Sequence, residues 1–218
     1  GIFHADDLAN EQRVILREYG RAHLYDNNIE LQLLTRREFV DQVFWRWAYR
    51  ERALIVGFNL PFDLSRIAVD CGEARGQLYT GGFSFVIWDY FDQAESAWLE
   101  NRFRPRITVK TIDGKRHLIG FTAPRETDPV DRIPEGAHGE KPDRRHTFRG
   151  HFLDARTLAF DLTDQSHSLD SAIEAFGVSQ AKLQIKEHGE ISPAYIDYNR
   201  RDVTATFELV RKLLEEYD

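Results

Sequence analysis

Methionine and cysteine are almost missing from this sequence. Its 218 residues include no methionine, even at position 1, and one cysteine, Cys71. A single cysteine excludes an internal disulfide framework and a cysteine-rich zinc site. A chain without an initiating methionine starts after a processing site or belongs to a longer protein, and we expect the second.

Long apolar runs are absent too. No apolar stretch approaches the roughly 20 residues that a membrane helix needs, and there is no secretory signal pattern. We therefore expect a soluble, cytoplasmic protein without a membrane partner. The length suits one α/β domain, with or without a large insertion, and a hydrophobic content of 42% suffices for a core.

An excess of positive charge is also lacking. The net charge of −7 argues against a uniformly basic surface for nucleic acid. Residues 101–125 nevertheless hold seven Lys or Arg and one Asp, a local charge of +6, so the rest of the chain carries −13. Such a segment can bind along the phosphates of a nucleic acid. An exposed hairpin with solvated charges explains the local charge equally well.

Capping signals mark the first two helices. Asp6 or Asp7 is placed to cap a first helix. Thr35 and Glu38 form a T-x-x-E capping box at the start of a second helix. Residues 53–58 are then continuously apolar, which is typical of a parallel strand buried on both faces. We expect a further helix over residues 61–71.

The middle of the chain has a different pattern. FSFVIWDY and RITVKTIDGKRHLIGFT predict β-structure, the second as a hairpin with a two-residue Asp113-Gly114 turn. Residues 123–150 are rich in Pro, Gly and charge and predict an irregular loop. Because this block has too few apolar residues for its own core, we interpret residues 75–150 as a β-rich insertion in one domain spanning 1–218.

A strand and three helical segments follow the insertion. HFLD predicts a short strand that leads into the helical turn ARTLAF. SLDSAIEAFG predicts a helix that Ser168 caps and Gly177 ends. The last helix is predicted to begin at Ser192-Pro193, a cap followed by proline at the first helical position, and to run nearly to the C-terminus.

Two polar motifs stand at structurally informative places. In GFNLPFD, Asn59 and Asp63 follow the apolar strand directly. In YNRRD, Tyr198 and Asp202 are four residues apart and therefore share one face of the last helix. The neighbouring face is predicted to be buried through Val203, Phe207 and Val210.

Together the two motifs resemble the second and third motifs of the DEDD superfamily, the DnaQ-like 3′–5′ exonucleases of the tyrosine subtype. The resemblance runs from about residue 35 to the C-terminus and includes LDARTL and SLDSAIEAFGV. It implies a ribonuclease H-like α/β fold, a mixed sheet flanked by helices. The β-hairpin insertion is most similar to the layout of family B DNA polymerase exonuclease domains.

The resemblance also implies a chemistry. Two divalent cations, Mg²⁺ or Mn²⁺, would support hydrolysis of the phosphodiester at a 3′ end, since hard cations prefer carboxylate oxygens. Asp63 and Asp202 would be metal ligands, Asp63 directly or through water. Tyr198 would orient the attacking water. The catalytic residues implied are therefore Asp63, Tyr198 and Asp202.

The implied substrate is the 3′ end of single-stranded nucleic acid, with DNA favoured over RNA. Asn59 would contact the strand end or brace the turn. Phe58 and Phe62 would pack against bases or fill the core, and we favour the core for Phe58. From the basic segment, the predicted substrate contacts are Arg102, Arg104 and Arg106.

One family motif is missing. The first motif, D-x-E on the central strand, does not occur in the sequence, and no strand-like run precedes residue 35 apart from the tail of a strand at 1–3. We expect that a larger parent polypeptide or polymerase supplies the first strands and this motif, and that residues 1–218 alone do not cleave. A degenerate domain that no longer cuts is the other account.

Other functions stay open. An inactive domain of the same fold would bind nucleic acid or a partner, and an unrelated α/β protein would carry both motifs by coincidence. The eight histidines show no paired metal spacing. We interpret His167 as a structural histidine and Asp154 as a structural acid at a strand end.

Overall fold

The computed structural model describes residues 1–24, 29–74, 77–114, 116–122, 148–179 and 190–217. Most of the loop expected at 123–150 lies outside these ranges. Lys115 and Arg125, two of the basic residues of segment 101–125, lie outside them as well.

Strands and helices alternate with turns and loops along the described part of the chain. The strands are β1 (Ile2–His4), β2 (Leu33–Thr35), β3 (Leu54–Gly57), β4 (Asp70–Glu73), β5 (Phe83–Val86), β6 (Asp89–Asp92), β7 (Ala97–Glu100), β8 (Ile107–Thr111), β9 (His117–Phe121) and β10 (His151–Asp154). The α-helices are α1 (Asn10–Ala22), α2 (Arg36–Glu38), α3 (Leu60–Ser65), α4 (Ala155–Thr163), α5 (Leu169–Ala175) and α6 (Pro193–Tyr217). A π-helix, Phe39–Arg50, continues α2, and a 3₁₀-helix covers Gln77–Tyr79.

These strands are distributed over four small sheets. β4, β5, β8 and β9 form an antiparallel sheet in that order, and β6 pairs with β7 as an antiparallel hairpin. β1 and β2 are parallel, and β3 lies beside β10. The protein is therefore of mixed α/β class, as the sequence predicts.

The chain divides into two compact units. The first comprises Gly1–Phe44, Val56–Leu60 and Leu153–Asp218, and the second comprises Trp45–Ile55 and Pro61–Phe152. The second unit contains all of the segment that we interpreted as an insertion.

Helices build the core of the first unit. One cluster joins α4, α5 and α6 through six buried residues, Ala155, Ala159, Ala172, Leu209, Val210 and Leu213. A second cluster joins α1 to α6 through Leu16, Tyr19 and Ile196. Helix α6 therefore takes part in both clusters, and its position is fixed at two places along its length.

Aromatic side chains dominate the second unit. Trp88 and Phe121 are fully buried, beside Ile107 and Val109 of β8. The ring of Phe121 meets that of Tyr49 edge to face, with centroids 5.1 Å apart. Edge-to-face contacts of this kind add stability beyond the burial of apolar area.

The predicted capping signals of α2 and α5 are confirmed. Thr35 Oγ1 accepts the backbone N–H of Glu38, and the Glu38 carboxylate accepts that of Thr35 at 2.8 Å. The bond from the Thr35 backbone lowers the pKa of Glu38. Ser168 caps α5 in the same reciprocal way with Ser171. These local signals suffice because each needs only residues three positions apart.

Two predicted elements are wrong in extent. The helix expected over 61–71 ends at Ser65, and the backbone of β4 pairs with β5. Pairing between strands satisfies the backbone N–H and C=O groups of residues 70–73 as well as a helix would. The sequence pattern does not reveal this pairing. The Asp113-Gly114 hairpin connection is also longer than two residues, since pairing ends at Thr111 and His117.

The start of the chain differs from the prediction too. Parallel pairing of β1 with β2 gives two strands before residue 36, where only a strand tail was expected. Helix α1 has Ala9 as its N-cap, without a side-chain bond. Asp6 instead binds the start of α2: its carboxylate accepts the Arg36 Nε–H and the Arg37 backbone N–H, both at 2.9 Å.

This placement determines the ionisation of Asp6. Burial acts to raise its pKa, but the hydrogen bonds from Arg37 and Arg36 outweigh burial, and the pKa lies below its usual 3.8. A carboxyl whose pKa is lowered by folding stabilises the fold above its unfolded pKa. That stabilisation is lost as the pH falls through the folded pKa.

We predict that Asp6→Asn lowers the free energy of unfolding at pH 7 by about 1.5–3 kcal/mol, because hydrogen bonds to a charged group are lost. The difference from wild type should shrink as the pH falls below 3.8. Urea denaturation at a series of pH values measures it, with the exposed neighbour Asp7→Asn as control. A difference that does not depend on pH would contradict this account.

Candidate functional site

A cleft in the first unit gathers polar side chains from three segments. Its volume is about 440 Å³. The segment after β3, the first turn of α4 and the residues before α5 supply its lining: Phe58, Asn59, Arg156, Ser166, His167 and Ser168. The described residues of the lining include one arginine and no acidic residue.

Asp154 holds two of these segments together. It is 7% exposed, and one carboxylate oxygen accepts the backbone N–H groups of Arg156 and Thr157 as the N-cap of α4. The other oxygen accepts the Leu60 N–H at 2.9 Å. The start of α3 is thereby bonded to the start of α4, in agreement with the structural role expected for Asp154.

Asn59 occupies a sharp turn between β3 and α3. Its φ of +83° is in the left-handed region, which asparagine tolerates better than most residues. Phe58 packs against the core of α4–α6, as the sequence analysis favoured. The Asn59 side chain lines the cleft and makes no hydrogen bond to the residues that the structure describes.

His167 is a structural residue of the cleft wall. It is 7% exposed, and its two ring nitrogens lie 2.9 Å from Thr163 Oγ1 and 3.4 Å from Ser171 Oγ. Its ring also meets Phe176 edge to face. Both nitrogens therefore have hydroxyl partners, which agrees with the structural role that the sequence suggests.

Tyr198 and Asp202 lie on the inward face of α6. With Ala205 and Leu209 they follow the spacing i, i+4, i+7, i+11, one stripe of a helix. Ala205 and Leu209 are buried, and Tyr198 and Asp202 are half-buried. Tyr198 and Asp202 thus lie on the same helix face as residues that are buried in the core further along α6.

The buried face predicted for α6 is partly wrong. Val203 and Phe207 are 70% and 57% exposed, whereas Val210 is buried as expected. The true buried stripe includes Ala205 and Leu209, on the side that Asp202 shares. Since apolar residues occur on two faces of α6, the pattern alone does not say which face meets the core.

Tyr19 of α1 anchors α6 beside this pair. Its hydroxyl donates to Asp197 and accepts from Arg200 at 2.9 Å, so it binds residues on both sides of Tyr198. Tyr19 is 3% exposed. Burial raises the pKa of Tyr19, and the hydrogen bond to Asp197 raises it further. Neither contact is visible in the sequence motif.

Asp63 and Phe62 belong to the second unit. Asp63 is exposed in α3, and Phe62 is 51% exposed with the guanidinium of Arg66 4.2 Å from its ring centroid. This exposure is compatible with the predicted substrate contact of Phe62. The roles of Asp63 and Phe62 stay predictions.

The three arginines predicted to bind substrate have different surroundings in the second unit. Arg106 makes two hydrogen bonds with Glu100, at 2.5 and 2.6 Å, which raise its pKa. The Arg104 guanidinium lies 3.7 Å from the ring centroid of Trp45. Arg102 is exposed. A substrate phosphate would therefore compete with Glu100 for Arg106.

Arg156 is the residue of the cleft that sequence reasoning missed. It is the second residue of α4, where the helix dipole disfavours a positive charge. An arginine two positions after a capping aspartate was the available signal. Its significance depends on the cleft, which the sequence does not show.

Across the described ranges, no group of three or more His, Cys, Asp or Glu side chains is arranged to hold a metal ion. Among the same residues no helix is long and apolar enough to span a membrane. Comparison with protein-family models, curated proteins and solved structures gives no match for the chain.

We predict that Asp154→Ala lowers the free energy of unfolding by about 2–4 kcal/mol. The variant loses the N-cap of α4 and leaves the buried Leu60 N–H without its acceptor. Urea denaturation measures the loss. Asp161→Ala, an exposed change on the same helix, should stay within about 0.5 kcal/mol of wild type. Equal stability of the two variants would refute the bridging role.

Proposed function

We propose that the chain acts as a 3′–5′ exonuclease domain of ribonuclease H-like type on single-stranded nucleic acid, with DNA favoured over RNA. The observation that carries the proposal is the half-buried pair Tyr198 and Asp202 on the inward stripe of α6. Their spacing keeps the two side chains on one face of the helix, one turn apart. The N-x-x-F-D and Y-x-x-x-D motifs supply the reaction class.

The donor chemistry of the proposed residues fits Mg²⁺ or Mn²⁺. Asp63 and Asp202 offer carboxylate oxygens, which hard divalent cations prefer. Such ions, when bound, would activate water and stabilise the leaving 3′ oxygen. The D-x-E pair that supplies the other carboxylates in the family is not in this sequence, so two ligand residues are assigned.

The chain's own groups would act as follows. The Tyr198 hydroxyl would orient the attacking water by a hydrogen bond. Tyr19, through Asp197 and Arg200, would fix the rotation of α6 and so the direction of Tyr198. The Asn59 amide would donate to the strand end. The bond from Leu60 to Asp154 would keep the Asn59 turn in place.

A second candidate is a binding module of the same fold that holds a single strand without cutting it. The observation that favours it is the lack of any three-residue group of metal-ligating side chains in the described part of the chain. Hydrolysis and binding both require contacts with a single strand. They differ in whether nucleoside monophosphates are released.

We predict that Asp202→Asn in the full-length native protein abolishes Mn²⁺-dependent release of mononucleotides from a 3′-labelled single strand. Tyr198→Phe should slow release by about 10²-fold, since one hydrogen bond at the reacting group is lost. Single-strand binding in EDTA should be nearly unchanged in Tyr198→Phe.

The control is Val203→Ala, an exposed change beside Asp202, which should keep the wild-type rate. Wild-type release by Asp202→Asn would end the nuclease proposal. If the wild-type protein binds the single strand but releases no mononucleotides, the binding module remains as the proposed function.

A further inference from the structure

Among the residues that the structure describes, none is a partner for the charge of Arg156. Its Nε–H is buried and makes no hydrogen bond, and its guanidinium pairs with no carboxylate of the described residues. The first turn of a helix is an unfavourable place for a cation, because the exposed N–H groups there carry partial positive charge. An anion in the cleft would relieve both costs.

The rest of the cleft suits the same anion. The Asn59 side chain is a second hydrogen-bond donor without a partner among the described residues. The acid nearest to Arg156 in sequence, Asp154, already accepts three backbone N–H groups. Ser168 is engaged in its cap with Ser171. Arg156 therefore offers unused donors only, and the Asn59 carboxamide adds N–H donors beside its own acceptor oxygen, so both residues can donate to an oxyanion.

We propose that this cleft binds a phosphodiester group of a single strand, with the Arg156 guanidinium as its charge partner and the Asn59 amide as a second donor. Arginine forks match the geometry of phosphate oxygens. Phe58 adds an aromatic wall on which a neighbouring base can stack. The inference rests on the proposed function and adds Arg156 to it as a substrate-binding residue.

Binding of a fluorescent hexathymidylate to the chain, in EDTA so that hydrolysis plays no part, tests the proposal. Arg156→Gln should weaken binding about 10- to 100-fold, the range for a lost charge-assisted hydrogen bond. Arg156→Lys, which keeps the charge without the fork, should fall between wild type and Arg156→Gln. Arg211→Gln, an exposed arginine of α6, should bind as wild type does.

A neutral methylphosphonate hexathymidylate identifies the group that is bound. If Arg156 binds the phosphodiester, wild type and Arg156→Gln should bind this strand equally. A loss of the same size on the neutral strand would overturn the assignment. Competition with inorganic phosphate distinguishes a strand-binding site from a general anion site. If phosphate displaces the strand at a concentration equal to the strand's own Kd, the assignment to a phosphodiester of the strand is also overturned.

The proposal fails if Arg156→Gln, folded by circular dichroism, binds the charged strand as tightly as wild type. If Arg156→Gln does not fold, Arg156→Lys decides, because undiminished binding by Arg156→Lys refutes the need for the fork. The wild-type protein could also bind the strand through Arg156 and yet release no mononucleotides. That result would support this inference and would exclude only the proposed hydrolysis.

Discussion

The carboxylate of Asp154 is the constraint on which the candidate site depends. It accepts three backbone N–H groups, two at the start of α4 and one at Leu60. A single buried side chain thus connects the turn after β3 with the turn after β10. Asn59 precedes Leu60 and Arg156 is itself one of the donors, so one acceptor helps to position both residues at the cleft. Because three of the roughly four acceptor positions of this buried carboxylate are taken by backbone N–H groups, we infer that Asp154 positions the cleft.

Much of the fold is predictable where the determining contacts are local. The Thr35–Glu38 capping box and the start of α6 at Pro193 follow from residues within one helical turn. The exposed Val203 and Phe207 show the limit of this reasoning, because helix rotation is set by distant partners such as Tyr19. The true length of α3 and the pairing of β1 with β2 depend on similar long-range bonds.

The candidate site is predictable only in part. The motifs single out Asn59, Tyr198 and Asp202, and the structure places Asn59 in a cleft and the other two on the inward stripe of α6. The importance of Arg156 is hidden in the sequence, because an arginine after a strand is ordinary. Its importance depends on two features of the described residues: its buried Nε–H has no hydrogen-bond partner among them, and the cleft lining that they form contains no acid.

Our central claim is that the cleft beside Asp154 binds the phosphate backbone through Arg156 and Asn59. The most direct test follows arginine Nε–H and asparagine carboxamide signals by ¹⁵N NMR while hexathymidylate is added in EDTA. We predict that the largest shifts occur at Arg156 and Asn59, with Arg211 unmoved. Shifts at Arg102 with an unchanged Arg156 would contradict the account.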